Sequence, residues 1–319
     1  MNFEMNITWA LLSVAAGLVV LWKSADVLVG GAVGLAKKFQ VSPLVIGLTV
    51  VAMGTSAPEV AASVAAALRD NPNIALGNVY GSNIANLALV GGLCAIIRPI
   101  RIRMSTLKGE MPVMLGVGLL LFPLLSDSFL SRAESIILLC VFGALMIITI
   151  HYARKNPDTF VAEIDINSPK EKTLLINFIL VGIGLAGLAF GAEITLRGAV
   201  VIGAKAGLSQ AVIGLTIVAI GTSLPELVTC LVAAFKGHDD ISIGNLVGSN
   251  IFNTLLVTGT AGVIRPFEVV GQLKGFDYWV MISVTAGFIG LGIIQKKISR
   301  TCGVILIACY AAYMVYLFI

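Results

Sequence analysis

Long apolar runs alternate with short polar breaks along almost the whole chain. A helix needs about 20 predominantly apolar residues to cross a bilayer. Runs of that order fall near 8–36, 42–68, 73–97, 110–125 and 132–152, and again near 174–204, 209–235, 241–264, 276–294 and 302–318. The pattern predicts an all-α polytopic membrane protein of about ten transmembrane helices. The longest polar stretch, HYARKNPDTFVAEIDINSPKEK from His151 to Lys172, separates the two sets of runs. The expected organisation is a five-helix repeat over 1–152, a linker over 153–172 and a second five-helix repeat over 173–319.

The two halves share their wording as well as their pattern. SPLVIGLTVVAMGTSAPE from Ser42 matches SQAVIGLTIVAIGTSLPE from Ser209, and IALGNVYGSNIANLALVGG from Ile74 matches ISIGNLVGSNIFNTLLVTG from Ile241. Gly54 and Gly221, like Asn86 and Asn253, stand 167 residues apart, and this offset holds without a gap to Ile97-Arg98-Pro99 and Ile264-Arg265-Pro266. Upstream it also pairs Asp26 with Glu193 and Lys38 with Lys205. A repeat this long is a duplicated half-protein and not a solenoid unit. An odd number of spans per half turns the second half over, so an inverted-topology repeat is expected.

Basic residues set the expected orientation. Loops after the odd-numbered spans carry Lys37, Lys38, Arg101, Arg103, Lys108, Arg154, Lys155, Lys170, Lys172, Lys236, Lys296, Lys297 and Arg300, against Arg69, Arg132, Lys205, Arg265 and Lys274 on the other side. The positive-inside rule then places the linker in the cytoplasm and both termini outside.

The polar residues inside the apolar runs carry the chemistry. GTSAPE at Gly54–Glu59 returns as GTSLPE at Gly221–Glu226. Proline lacks an N–H and crowds the carbonyl four residues back, so Pro58 frees the carbonyl of Gly54 and Pro225 that of Gly221. In lipid a freed carbonyl needs water, a side chain or a cation. Helical spacing puts Ala52, Ser56 and Glu59 on one face, and Asn78, Ser82 and Asn86 on another; Ala219, Ser223, Glu226 and Asn245, Ser249, Asn253 repeat both stripes. Two carboxylates with neutral oxygen donors suit a hard cation such as Ca2+ or Na+, whereas soft metals want His or Cys.

Plainer explanations exist for most of these residues. A lone Pro can simply kink a membrane helix, small residues four apart such as Gly77 and Gly81 can be packing surfaces, and Asn can be interhelical glue. A mid-membrane carboxylate is different, because leaving it unpaired costs about 3 kcal/mol or more. No Lys or Arg stands in the segments of Glu59 and Glu226. Asp26 and Glu193 fall nearer helix ends, where a structural or interfacial role is expected.

Composition narrows the classes further. The chain has 319 residues, 58% hydrophobic and 12% charged, with mean hydropathy +0.99, where a soluble domain carries about 25% charged residues. A net charge of +4 without a basic block gives no sign of nucleic acid. Cys94, Cys140, Cys230, Cys302 and Cys309 are scattered without a CxxC and read as small core residues. The N-terminal apolar run has no preceding Lys or Arg and reads as a retained first helix, not a signal peptide.

Together, GTSAPE…GNVYGSNIAN and GTSLPE…GNLVGSNIFN resemble the paired alpha-repeats of the calcium/cation antiporter superfamily, in its sodium/calcium exchanger branch. The resemblance covers essentially the whole chain, and the GNAxE-type motif typical of the proton-coupled calcium branch is missing. It implies Na+ running inward as Ca2+ leaves, in a ratio of about three to one, by alternating access. Carried over by motif, Glu59 and Glu226 would be shared ligands for both ions, with the Thr55 and Thr222 carbonyls helping to hold Ca2+. Ser56, Ser82, Ser223 and Ser249, with the carbonyls of Ala52 and Ala219, would complete flanking Na+ sites, and Asn86 and Asn253 would line the centre. Spans 1 and 6 would slide across the core. Potassium-dependent members carry Asp where this chain has Asn253, so K+ independence is expected. The short linker fits a prokaryotic inner-membrane protein without calcium-sensing domains. No cofactor and no obligate protein partner is expected beyond the transported ions and the lipid bilayer.

Three other classes compete. A cation channel would also use two carboxylates, but inverted halves suit alternating access better. An intramembrane enzyme would need a partner for the GTS serines; the histidines, His151 and His238, lie near loops and no HExxH occurs. A proton/Ca2+ antiporter is the nearest alternative, because protons compete for Glu59 and Glu226.

Overall fold

Each apolar run that the structure describes is helical. The computed structural model describes residues 6–155, 172–208, 213, 217 and 219–318. The first half comprises α1 (Ile7–Phe39), α2 (Pro43–Thr55), α3 (Ala57–Leu68), α4 (Pro72–Ile97), α5 (Glu110–Leu124) and α6 (Arg132–Lys155). The second comprises α7 (Leu174–Lys205), α8 (Ala219–Thr222), α9 (Leu224–Phe235), α10 (Asp239–Ile264), α11 (Phe276–Gln295) and α12 (Arg300–Phe318). Among the described residues, eight helical segments are long and apolar enough to cross a membrane, and the bent pair α2–α3 makes a ninth. The protein is therefore a polytopic helical membrane protein. The start of the expected 209–235 span and most of the 153–172 linker lie outside the described residues.

Helices α1 and α7 run longer than one perpendicular crossing requires, at 33 and 32 residues. The first passes the apolar limit at 36 because Lys37 and Lys38 favour the negative C-terminal end of a helix, and it stops only at Gln40, whose φ of 53° is left-handed. The two helices pack antiparallel at close range. Gly17 lies against Thr195 and Gly191, Gly184 against Leu28, Gly31 against Val181, and Gly198 against Val14. A Cβ on Gly184 would sit 2.8 Å from the Leu28 backbone, so only glycine lets the backbones approach this far. Shifted by the 167-residue offset, Gly17–Thr195 becomes Leu28–Gly184, and Gly31–Val181 becomes Val14–Gly198. Contacts that exchange in this way are those of a local two-fold axis across the helix pair.

The loops sort onto two faces. Arg98 and Arg265 precede prolines, which disfavours helix there, and both are extended, with ψ of 117° and 104°. The chain then pairs as short strands. β1 (Ile100–Arg101) pairs antiparallel with β4 (Lys297–Ile298), and β2 (Phe129–Leu130) with β3 (Phe267–Glu268). Arg103 reaches Asp240 at 3.2 Å on the β1–β4 face, and Arg265 reaches Asp70 at 2.6 Å on the β2–β3 face. Loops after α4, α9 and α11 thus share one face, here called the linker face, and loops after α3, α5 and α10 share the distal face.

The centre is formed by α4 and α10, 72% and 78% buried over their most apolar windows, against 11% for α6 at the perimeter. Gly47 of α2 and Gly244 and Gly248 of α10 bring those helices into backbone contact. This is the packing role that small residues at helix spacing usually take.

Candidate cation-binding site

The helix breaks lie where the prolines require them. At Ser56 the backbone leaves helical geometry (φ −84°, ψ 3°), and α2 and α3 meet at 43°. Ser223 breaks the second half in the same way (φ −88°, ψ 5°). Pro58 and Pro225 enter the first turn of the next helix, where their missing N–H costs nothing. Glu59 and Glu226 follow in the same first turns, at the helix end that favours negative charge. The preceding helices α2 and α8 end at Thr55 and Thr222, so their negative C-terminal ends meet the breaks.

The neighbouring helices are also irregular. Ala85–Val90 and Asn253–Val257 are π-helical turns, as is Gly47–Val51. Such turns are rare and often mark functional sites. They coincide with Asn86 and Asn253.

Glu59, Glu226, Ser56, Asn86, Asn253 and Ser249 have no exposed surface. Ser56 Oγ donates to Glu226 Oε1 at 3.2 Å, joining the two halves. The carboxylates are close enough to repel each other, and Thr55 and Ser249 lie beside Glu226. Among the described residues, both oxygens of Glu59, Oε2 of Glu226, both amide atoms of Asn86 and of Asn253, and Ser223 Oγ have no hydrogen-bond partner. Each buried polar atom left so costs about 1–3 kcal/mol, and an uncompensated carboxylate costs more. A positive ligand that takes these oxygens offsets that cost. Among the described residues no group of three His, Cys, Asp or Glu converges, so neutral oxygens must complete any coordination shell. That set suits a hard cation.

The other expected ligands are placed less uniformly. Ala52 is buried, and its carbonyl accepts from the Ser56 N–H at 3.0 Å and from Thr55 Oγ1 at 3.3 Å. Ala219 begins α8. Thr222 and Ser82 line a cavity of 450 Å³ that reaches the distal face.

The periodicity of the Asn residues grouped two roles that the structure separates. Asn78 donates to Ser63 Oγ at 3.2 Å, and Asn83 to Thr254 Oγ1 at 2.8 Å. Thr55 Oγ1 donates to Asn245 Oδ1 at 3.0 Å, and Asn245 Nδ2 to Cys230 Sγ at 3.3 Å. These three Asn residues are interhelical glue, whereas Asn86 and Asn253 are not. Sequence reasoning missed the layer behind the site, Ser63 and Cys230. The offset could have found it, since it pairs Ser63 with Cys230 and Asn78 with Asn245. Cys230 lies two hydrogen bonds behind the expected ligand Thr55, through Asn245, with its sulfur engaged by Asn245 and the Ser242 carbonyl.

Comparison with known proteins bears on the family and the fold. The family profile described as sodium/calcium exchanger protein matches residues 9–151 and 176–319, one segment in each half. The chain is 32% identical to the sodium/calcium exchanger MaX1 of Methanosarcina acetivorans, over 98% of this chain and 99% of that one. It is 37% identical to the inner membrane protein YrbG of Escherichia coli (strain K12), over 85% of each. Among solved structures, a sodium-calcium exchanger, NCX_Mj, soaked with zero Na+ and Ca2+, superposes with a TM-score of 0.82 at 32% identity, covering 98% of this chain and 100% of that one.

Proposed function

The chain belongs to the sodium/calcium exchanger family, and we propose that it is a Na+-driven Ca2+ antiporter that works by alternating access, with about three Na+ moved per Ca2+ and no role for K+. Its substrates are ions, and its chemistry is binding and release, not catalysis. The observation that carries this reading is the pair Glu59 and Glu226, fully buried at the two helix breaks with three of their four oxygens unpartnered among the described residues. Two ionised carboxylates balance one Ca2+. Thr55, Ser56, Thr222, Ser223, Ser82, Ser249, Asn86, Asn253 and the carbonyls of Ala52 and Ala219 supply the neutral oxygens for Ca2+ and for the flanking Na+ ions.

Antiport needs the same site to face each side in turn. The antiparallel α1–α7 pair, whose contacts exchange under the repeat offset, supports two halves of opposite orientation. Uptake of radioactive Ca2+ into proteoliposomes under an outward Na+ gradient, compared with an outward H+ gradient of equal size, tests the coupling. The expected result is saturable uptake that requires Na+ inside. Uptake driven by the H+ gradient alone would assign proton coupling instead.

The same reading places the linker in the cytoplasm and both termini outside an inner membrane. With the native cysteines replaced, Ser168→Cys in the linker should react with a membrane-impermeant thiol reagent only after spheroplasts are opened. Labelling in intact spheroplasts would reverse the orientation.

A further inference from the structure

Two cavities related by the repeat open toward opposite faces, and they differ in depth. The distal cavity, 450 Å³, reaches Ser63, Asn78, Ser82 and Thr222. The linker-face cavity, 390 Å³, is lined by Ser42, Leu48, Arg103, Glu110 and Gly248. Glu110 corresponds to Asp277 and Gly248 to Gly81, both of which line the distal cavity. The counterparts of the deep distal residues are Cys230, Asn245, Ser249 and Thr55. Among the described residues, none of these four lines the linker-face cavity. Among the described residues, two of the oxygen ligands, Ser82 and Thr222, line the distal cavity and none lines the linker-face cavity, so the site is nearer to opening at the distal face, and the linker face is the closed one.

The ion pairs differ in the same sense. At the closed face, Lys236 Nζ stands 2.6 Å from Asp26 Oδ1 and also reaches the Asp26 carbonyl at 3.4 Å, tying α1 to the end of α9. The rings of Trp22 and Phe235 pack beside this pair at 5.7 Å. The offset makes Glu193 and Arg69 the counterparts of Asp26 and Lys236, on α7 and just past the end of α3. At the distal face the pair is not made. Glu193 instead binds Arg197, four residues along its own helix, at 2.5 Å, and Arg69 makes no ion pair among the described residues.

We propose that Asp26–Lys236 and Glu193–Arg69 are alternately made latches, each holding the α1–α7 pair against the core at whichever face is closed. The proposal rests on the alternating-access reading above. When inverted halves exchange conformations, equivalent residues exchange environments, so the state sealed at the distal face sets Glu193 against Arg69 as Asp26 now stands against Lys236. The strength suits a latch. Lys236 and Asp26 are 37% and 48% exposed, and such pairs shift an equilibrium by about two- to fivefold. That biases two states without arresting turnover. A static surface pair would give the same contact at Asp26, but it would give Arg69 no role.

The test is the rate at which a membrane-impermeant maleimide labels Ala62→Cys, at the distal cavity, in a chain whose native cysteines are replaced. Exchange is measured on the same proteoliposomes under Na+-loaded conditions that populate both states. From near-equal populations of the two states, Asp26→Asn should slow labelling by up to about threefold, Arg69→Gln should speed it by up to about 1.7-fold, and the charge swap Asp26→Lys with Lys236→Asp should restore the parent rate. Unchanged labelling in Arg69→Gln, or changes in the same direction in both single variants, would overturn the latch while exchange by the parent chain persists. A parent chain that does not exchange Ca2+ for Na+ would overturn the antiporter reading itself.

Discussion

Replacing either Glu59 or Glu226 by Gln should reduce Ca2+ exchange to background while leaving the chain folded. Gln keeps the size of the side chain and removes the charge. A unit charge pair about 4 Å apart is worth about 4 kcal/mol at an effective dielectric near 20, and Ca2+ carries two charges. Even after desolvation cancels much of this, the loss in Ca2+ affinity is on the order of a hundredfold. The fold should not suffer, because among the described residues neither oxygen of Glu59 and only one of Glu226 is hydrogen-bonded. In ion-free buffer Glu59→Gln should match or exceed the parent in thermal stability, as expected when a buried charge serves function at the expense of stability. What disappears is the rise in melting temperature that Ca2+ gives the parent, since a ligand stabilises only the form that binds it. Melting curves with and without Ca2+, together with exchange at equal reconstituted amounts, check both parts. Parent-level exchange by either variant would remove the assignment.

Exchange should be independent of K+ and sensitive to voltage. With Asn at both 86 and 253, the fixed charge of the site comes from the two glutamates alone, since an amide offers one oxygen and no charge. At the proposed ratio one Ca2+ would neutralise that charge and about three Na+ would leave one positive charge over, so the two loaded forms would differ in net charge. One elementary charge crossing the membrane is worth about 2.3 kcal/mol per 100 mV, enough to change an equilibrium about fiftyfold. Replacing K+ by choline should leave the flux unchanged, and solid-supported membrane recordings should show a current of one sign during exchange. Asn253→Asp adds a charge where both amide atoms of Asn253 are unpartnered among the described residues, and should alter the Na+ dependence. An absolute K+ requirement in the parent would overturn the reading of Asn253, and silent recordings during active exchange would overturn the charge argument.

Much of this site is legible in the sequence, because the chain breaks its own apolar pattern there. Pro58 and Pro225 locate the two breaks, and Glu59 and Glu226 are conspicuous because a carboxylate has no cheap place in lipid. The loop sorting is legible too: runs of crossing length alternate faces, and the strand pairs β1–β4 and β2–β3 join the loops that this alternation groups. The π-helical turns at Asn86 and Asn253 are not legible, since a shifted backbone hydrogen bond leaves no side-chain pattern. Ideal helical spacing therefore placed Asn78 with Asn86, and only three-dimensional contact separates the Asn that binds Ser63 from the Asn without a partner. Asp26 could be judged structural from its position, but its partner Lys236 lies 210 residues away, and no local rule connects them.

Binding is the most direct test of a cation site built on Glu59 and Glu226. Radioactive Ca2+ should be equilibrated with the purified parent chain in Na+-free buffer, and the titration repeated with Na+ and with K+ at equal ionic strength. The geometry predicts one saturable Ca2+ per chain, displaced by Na+ with a steep concentration dependence, untouched by K+, and lost in Glu59→Gln. Ca2+ binding that Na+ does not displace, or that survives in Glu59→Gln, would contradict it.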